Sequence, residues 1–349
     1  MNARLQPATP PSVVTMAHGG GGRAMRGLIE GILVPAFDNP ILATLEDQAR
    51  LSLADLGAHG DRLAFTTDSF VVTPIEFPGG DIGKLAVCGT VNDLAVSGAR
   101  PLYLSCGLVL EEGFELAALE RVAHSMGCAA REAGVAIVTG DTKVVERGAA
   151  DGIFINTAGI GIIPQGIHIA ADRARPGDVV IVSGTVGDHG IAILLARNEL
   201  ALAAPVASDC QPLHTLVASM LAICPDIRCL RDATRGGVAT VLNEFAVSSG
   251  VGIRLQETAL PLNDAVRGAC EILGLDPLYL ANEGKLVAIV PGTHGPAVLA
   301  ALHAHPMGRE AAIIGEVCAQ PQARVILSTT IGGDRVVDVL FGEQLPRIC

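Results

Sequence analysis

The sequence predicts an α/β protein of two domains with mixed sheets, and three observations lead there. The chain has 349 residues, enough for two domains of ordinary size, and half of them are apolar. Tryptophan is absent, aromatics make up 3%, and there are 41 glycines, so the core is built from Val, Ile, Leu and Ala between many tight loops. Short apolar runs of strand character alternate with stretches of helical period along the chain.

The elements follow in order. Residues 1–17 are Pro-rich at their start and are expected to be mobile. "HGGGGRAMRGLIEGILVPAF" reads as a glycine loop entering a helix. "LAFTTDSFVVTPIEFPGG" reads as a strand over Leu63–Thr67 and a second beginning near Phe70, with Asp68 and Ser69 at the break. "DIGKLAVCGTVNDLAVSGARP" is a helix entered from a Gly-Gly-Asp loop, and "PLYLSCGLVLEEG" is a strand. "LAALERVAHSMGCAAREAG" is a helix, "VAIVTGDTKVV" a strand running into a loop, and "DGIFINTAGIGIIP" a strand. A boundary is expected in 164–178, which gives domains over 18–163 and 164–340 and a flexible tail over 341–349. Beyond it "DVVIVSGTVGDHGIAILLAR" repeats strand, glycine loop and helix, and alternating strands and helices continue to "RVILSTTIGG". Some strands look hairpin-linked and others helix-linked, hence mixed sheets.

A net charge of −12 argues against broad nucleic-acid binding, though not against a nucleotide held by one lysine or a Mg²⁺ ion. The N-terminus lacks a signal-peptide core, and no apolar run is long enough to span a membrane. The nine cysteines include no CxxC pair, and Cys224 and Cys229 have no second pair nearby, so most read as buried reduced thiols in a cytoplasmic protein.

The nucleotide motifs with local signatures are missing. "GGDIGKLA" is one residue short of a Walker A loop and has Leu85 after its lysine, and no GxGxxG follows a first strand. "GTVGDHG" at 184–190 is a weak candidate for an anion-binding turn. The first half instead scatters acids beside glycines: Asp68, Asp81, Asp93 and Asp141. Carboxylates so placed can hold Mg²⁺, which neutralises phosphate oxygens, and Lys143 could then meet a terminal phosphate; helix caps and turns use single aspartates just as readily. In "RDATRGG", Arg231, Asp232 and Arg235 surround Thr234, a fair helix N-cap. In "NEGK", Asn282, Glu283 and Lys285 form a connector in which a carboxylate could accept a proton or simply make a turn. The chain ends on Cys349, too late for a prenylation box and without companions for zinc.

Together "TTDSFVVTPIEFPGGDIGKLAVCGTVNDLAVSGARP", "VTGDTKVVERG", "RDATRGG", "ANEGK" and the final "PRIC" resemble the HypE family of hydrogenase maturation factors, from about His18 to Cys349. That family lies in the superfamily of aminoimidazole ribonucleotide synthetase, selenophosphate synthetase and thiamine-monophosphate kinase. The terminal Pro-Arg-Ile-Cys separates it from those relatives. The resemblance implies a two-domain aminoimidazole ribonucleotide synthetase-like fold, a homodimer paired through its N-terminal domains, and ATP bound between domains without a P-loop. It implies nucleotide contacts from Gly19, Gly20, Gly21, Gly22, Asp81, Asn92 and Lys143, and Mg²⁺ on Asp68, Asp93 and Asp141. It implies that Cys349 receives a carbamoyl group from the carbamoyltransferase HypF and that ATP drives its dehydration to a thiocyanate. Glu283 and Lys143 are then the residues around the docked thiol, and cyanide passes to a HypC–HypD iron scaffold for [NiFe]-hydrogenase. The rival readings are a sister kinase or synthetase acting on a free small molecule, and a non-enzymatic metallochaperone; the hard carboxylate set speaks against the latter.

Overall fold

A computed structural model describes residues 12–199, 205–340, 342 and 345–349. Most of the segment expected to be mobile lies outside the described residues. Its described part is pinned: Val13 bridges Glu115, and Val14 is fully buried with its N–H on the Phe114 carbonyl at 2.7 Å.

The glycine run leads into one helical rod, made of α1 (Arg23–Leu28), a π turn (Ile29–Leu33) and α2 (Val34–Phe37), followed by the short α3 (Leu53–Gly57). Next come β1 (Arg62–Phe70), a small hairpin of β2 (Glu76–Phe77) and β3 (Gly80–Asp81), α4 (Ile82–Val96), β4 (Arg100–Glu111), α5 (Leu116–Ala133), β5 (Ala136–Val145) and β6 (Ile153–Ile163). The four long strands form a sheet in the order β1-β6-β4-β5, antiparallel except for the β4–β5 pair.

Two expectations are corrected here. β1 does not break at Asp68 and Ser69: these pair with Thr157 and Asn156, and the Asn156 amide donates to the Asp68 carbonyl and the Ser69 hydroxyl. Strand alternation lets polar residues occupy one face without ending the strand. Likewise Asp141 and Lys143 sit on β5, which continues to Val145 rather than ending in a loop.

One face of this sheet is covered by α4 and α5. On α5 the buried set Ala118, Leu119, Val122, Met126, Ala129, Ala130 and Ala133 follows the helical period, and Gly134 closes the helix in the left-handed conformation. Helix α4 is buried nearly all round. It lies on β1, β4 and β6 on one side and meets the second half on the other, where Ala95 and Val96 join a core of later residues. Gly159 allows the close approach to the sheet, since a Cβ there would fall 2.8 Å from Thr90 and 2.9 Å from Leu94.

The second half contains β7 (Val179–Val182), α6 (Asp188–Ala196), α7 (His214–Ile223), β8 (Cys229–Asp232), α8 (Gly237–Ser249), β9 (Gly252–Gln256), α9 (Asp264–Leu273), β10 (Leu286–Val290), α10 (Gly295–Ala304), β11 (Ala312–Cys318), β12 (Arg324–Ser328) and β13 (Asp334–Val337). Its seven strands run β13-β12-β9-β11-β7-β10-β8, parallel only between β12 and β9. Strand β10, "LVAIV", is buried on both faces: Val287 and Ile289 pack into the core with α8, while Leu286, Ala288 and Val290 pack into the core with α7 and α10. Burying each such side chain contributes about 1.5–3 kcal/mol, which fixes the connector just before it.

Candidate functional site

That connector is the centre of the site. Glu283 and Lys285 precede β10 and are buried. The Asp209 carboxylate accepts the main-chain N–H groups of Glu283 (3.0 Å) and Gly284 (3.2 Å) and pairs with Lys285 at 3.4 Å, with its own side chain 2% exposed. From α4, the Asn92 amide donates to the Glu283 carbonyl and the Gln211 carbonyl, both at 3.1 Å, and its oxygen accepts from Leu213 N–H at 2.7 Å. The backbone of "NEGK" is therefore fixed from both halves of the chain, so it is no ordinary surface turn.

The Glu283 side chain has the opposite character. It is 3% exposed, and its Oε1 is buried with no hydrogen-bond partner. Burial pushes this carboxyl well above the usual range, and the neighbouring Asp232, Asp209 and Asp68 carboxylates add to the shift. Cys88 of α4 lies beside it and adjoins Cys210, whose thiol is held well above its ordinary range by Cys88 and by burial. The Cys210 thiol is therefore no ready nucleophile at neutral pH.

A second cluster of acids adjoins the first. Asp68 on β1 and Asp93 on α4 are both raised, chiefly by burial, and Asp68 also by the charge of Asp93; the Thr66 hydroxyl donates to Asp93 at 2.8 Å. Asp232, at the end of β8, is pushed up to about 7 by burial and then by Asp93. Asp93 and Asp232 line one open cleft of about 350 Å³ between the halves, with Thr66 and Arg231.

The sequence-predicted metal acids are not gathered as expected. Among the described residues no group of three or more His, Cys, Asp or Glu side chains is placed to hold a metal ion unaided. Asp141 is the outlier. In the register it shares a row with Gly107, Asn156 and Ser69, three strand spacings or roughly 14 Å from β1. Ser69 points to the open face of the sheet and Asp68 to the helix-covered face, so Asp141 is on the other side from Asp68. Asp141 instead holds Lys143 at 2.9 Å, and that bond pulls its carboxyl below the usual range. Asp232, unlike Asp141, feels the charges of both Asp93 and Asp68, and all-oxygen donors that repel one another have the chemistry that suits Mg²⁺.

Other predicted residues divide in the same way. Asp81 is a helix cap: one oxygen accepts from Gly83 and Lys84 N–H at 2.7 and 3.1 Å, and the other accepts from the Ser125 hydroxyl. Asn92 is a strut between the halves, with every polar side-chain atom engaged. Gly19 packs on β5, where a Cβ would fall 3.0 Å from Val144; nothing crowds Gly21 or Gly22, and a Cβ on Gly20 would meet only main-chain oxygens at 3.8 Å or beyond. That leaves 20–22 as an open loop following Gly19, which lies against Val144, the neighbour of Lys143 on β5. Thr234 is not the cap of α8. Gly236 takes that place with Gly237 beside it, both at positive φ, and a Cβ on Gly237 would fall 2.5 Å from the Leu278 carbonyl. Arg231 forms a salt bridge with Glu244. In the "GTVGDHG" turn the N–H groups of Val186, Gly187 and Gly190 are taken by Pro261, Asn282 and Ala281.

The described end of the tail is bound rather than loose. Ile348 is 5% exposed and joins the apolar cluster that holds Ala281, Cys210 and Cys88, with Cys349 packed against the same cluster. Val71 N–H donates to a terminal oxygen of Cys349 at 3.1 Å. The terminal thiol is thus brought to the side of the molecule where Glu283 lies. Lys143 is not, since β5 is the opposite edge of the sheet from β1, off which the tail-binding segment runs.

Comparison with known proteins fits this architecture. Residues 45–163 match the family model of the AIR synthase related protein N-terminal domain, and residues 175–328 match that of its C-terminal domain. The carbamoyl dehydratase HypE of Rhodobacter capsulatus is 58% identical over 336 residues, spanning 96% of this chain and 98% of that protein. This chain belongs to the carbamoyl dehydratase HypE family. A crystal structure of the hydrogenase maturation protein HypE in complex with ATP is 52% identical and superposes with a TM-score of 0.91 over 96% of this chain and 99% of that one. A HypE–HypF complex has a HypE-like chain at 47% identity and TM-score 0.78, over 90% of this chain and 99% of that one.

Within this HypE-family fold, several residues at the site were not legible beforehand. Asp232 was visible in "RDATRGG" but reads there as a cap or ion-pair partner. Asp209 stands in "SDCQP", which carries no pattern. His189 lay inside the glycine turn, and a histidine at the start of a helix was the one available signal.

Proposed function

We propose that this chain is an ATP-dependent carbamoyl dehydratase that converts an S-carboxamide on Cys349 into a protein thiocyanate, the source of cyanide ligands for the iron of [NiFe]-hydrogenase. The observation that carries this reading is the buried Glu283 carboxyl, with Oε1 unpartnered, two residues after Ala281, which lines one pocket with Ile348 of the docked, cysteine-bearing tail. A tail thiol can reach a loading partner when undocked and the acid cluster when docked.

The steps balance as follows. The carboxamide oxygen attacks the γ-phosphorus of ATP and ADP leaves. Loss of one N–H proton gives an S-bound imidate phosphate. Loss of the second N–H proton, with cleavage of the C–O bond, gives S–C≡N and inorganic phosphate. Glu283 is the proton acceptor, and the raised proton affinity of its carboxyl suits it to a weakly acidic nitrogen. Asp68, Asp93 and Asp232 would hold Mg²⁺, which supplies charge neutralisation at the phosphate oxygens. Intact mass spectrometry after incubation with carbamoyltransferase, carbamoyl phosphate and Mg-ATP tests the reading. A carbamoylated protein that becomes lighter by one water supports it; a product that never resides on Cys349 overturns it.

The open face of the first sheet supports a homodimer. Leu63 and Phe65 of β1 are 55% and 67% exposed there, and they share that face with Asp141 and Lys143. Pairing through this face would bring Lys143 and Asp141 of one copy toward the nucleotide site of the other, which accommodates both in function despite their distance from Glu283 within one chain. A carbamoyltransferase of the HypF kind would load Cys349, and a HypC–HypD scaffold would receive the cyanide. No described helix is long and apolar enough to cross a membrane, and reduced thiols suit a cytoplasmic setting.

A further inference from the structure

The last four residues are held by contacts that the dehydration chemistry does not itself require. Every main-chain carbonyl from Pro346 to Cys349 has a donor. Arg197 of the segment following α6 donates to Pro346 O (2.8 Å) and Arg347 O (2.6 Å), while its Nε holds Thr73 O at 2.7 Å. Thr73 N–H also reaches Arg347 O at 3.2 Å, and Val71 N–H reaches the Cys349 oxygen. His189 Nε2 donates to Ile348 O at 2.6 Å, so its Nδ1 is the acceptor for the Ser208 hydroxyl at 2.8 Å. His189 is fully buried, with Phe77 edge-on at 5.5 Å.

Two side chains of the tail are read as well. The Arg347 guanidinium pairs with Asp151 at 2.6 Å and donates to Val71 O at 3.1 Å, and Ile348 is enclosed. Arg347 is at φ +55, a left-handed conformation that an arginine adopts only where its surroundings impose it. The N–H groups of Val71 and Thr73 thus meet the carbonyls of Cys349 and Arg347 in antiparallel order, although neither segment belongs to a strand.

We propose that residues 71–73, Asp151, His189 and Arg197 form a peptide receptor that reads the chain's own Pro-Arg-Ile-Cys end, with His189 as the positioning residue that sets its register. His189 is the buried donor that meets the carbonyl immediately before Cys349. Its hydrogen bond therefore fixes which residue follows at the site, and the Arg347–Asp151 pair and the Arg197 fork prevent the tail from slipping by one. This rests on the reading that Cys349 carries the reacting group, but the receptor itself can be tested without that chemistry.

The experiment is hydrogen exchange on the full chain, read at the Val71 and Thr73 amides. Asp151→Arg should raise their exchange about threefold, since the Arg347–Asp151 pair is half-exposed, and the double variant Asp151→Arg with Arg347→Glu should return it to the parental level. Arg197→Ala and His189→Ala should expose both amides, whereas His189→Gln, which keeps a donor, should retain most of the protection. Unchanged exchange in Asp151→Arg and Arg197→Ala, or no recovery in the charge-swapped double variant, overturns the receptor. If His189→Ala does not fold, the charge swap and His189→Gln still decide. Register is tested by inserting one alanine before Cys349: Thr73 should stay protected while thiocyanate formation on the displaced cysteine is lost at least tenfold, and retained formation overturns the positioning role. Failure of the parent chain to form thiocyanate with the exchange results intact would sink the function and leave the receptor standing.

Discussion

The side-chain amide of Asn92, on a helix of the first half, donates to the main-chain carbonyl of Glu283, in the second half, at 3.1 Å. The same amide holds Gln211, and its oxygen holds Leu213. The position of the buried glutamate therefore depends on a residue 191 positions earlier in sequence.

Replacing Asn92 by alanine removes three hydrogen bonds and leaves buried main-chain groups unsatisfied. Such groups cost about 1–3 kcal/mol each, so a loss of roughly 3 kcal/mol or more is expected after partial relaxation. Urea unfolding should show a lower midpoint. Nucleotide affinity should fall less than dehydration does, because Asn92 acts on Glu283 and has no polar atom left for a ligand. A selective collapse of ATP affinity with unchanged stability would contradict this.

Glu283→Gln should separate folding from chemistry. The native carboxyl is buried among Asp232, Asp209 and Asp68 with one oxygen unpartnered, so an amide of the same shape relieves repulsion. The variant is expected to fold with equal or higher stability and to bind Mg-ATP. Carbamoylated Cys349 should accumulate without losing water, by a factor of at least 10²–10³ in rate. Turnover near the parental rate would remove Glu283 as proton acceptor.

How much of this was legible in the sequence depends on the range of the signal. α4 and α5 follow from local period and from the Gly-Gly-Asp entry, and mixed sheets follow from the variety of connections. Asp68 was misplaced at a strand break because a polar pair looks like a turn until Thr157 and Asn156 supply cross-strand partners from a distant segment. Asp81 carried the same local signature as a ligand-binding acid, and only the fold brings Ser125, 44 residues away, onto the second oxygen of this cap. That Asp141 lies apart from Asp68 and Asp93 within one chain could not be foreseen, because spacing along a chain does not tell which face of a sheet a residue takes after its strands have been ordered out of sequence. The tail contacts were not visible at all: Arg197, His189 and Asp151 meet the last residues only through the fold.

Asp232→Asn and Asp141→Asn should behave oppositely to what the sequence alone would suggest. Asp232 is buried against Asp93 and Asp68, and its carboxyl is held near 7 by that environment. Its amide variant should raise the melting temperature of the metal-free protein and weaken Mg-ATP binding at least tenfold by calorimetry. Asp141 and Lys143 are 61% and 64% exposed, so their ion pair contributes at most a few tenths of a kcal/mol, and Asp141→Asn should leave the melting temperature within error. If the open-face pairing holds, any effect of Asp141→Asn on Mg-ATP affinity should vanish in a Phe65→Glu variant that sediments as a monomer.

Tail docking should weaken in acid, and His189 sets the direction. Burial lowers its pKa below the ordinary histidine value, and Arg197 pushes the same way, while Asp209 and the Ile348 carbonyl oppose them. The neutral ring is thus the one the docked state favours. An undocked, hydrated His189 would titrate near 6.5, so its contribution is complete above about pH 6.5 and is lost as pH falls toward the lowered native value. One linked proton allows at most a tenfold change per pH unit. The protection of Thr73 N–H, corrected for intrinsic exchange, should therefore be flat from about pH 7 to 8 and fall with a slope approaching tenfold per unit below about 6.5. Protonation need not break either hydrogen bond, because the Ser208 hydroxyl can rotate to accept. The cost is a buried charge beside Arg197, which His189→Gln removes. A flat profile in that variant, against a sloping one in the parent, identifies His189 as the group; the same slope in both would assign the pH dependence elsewhere.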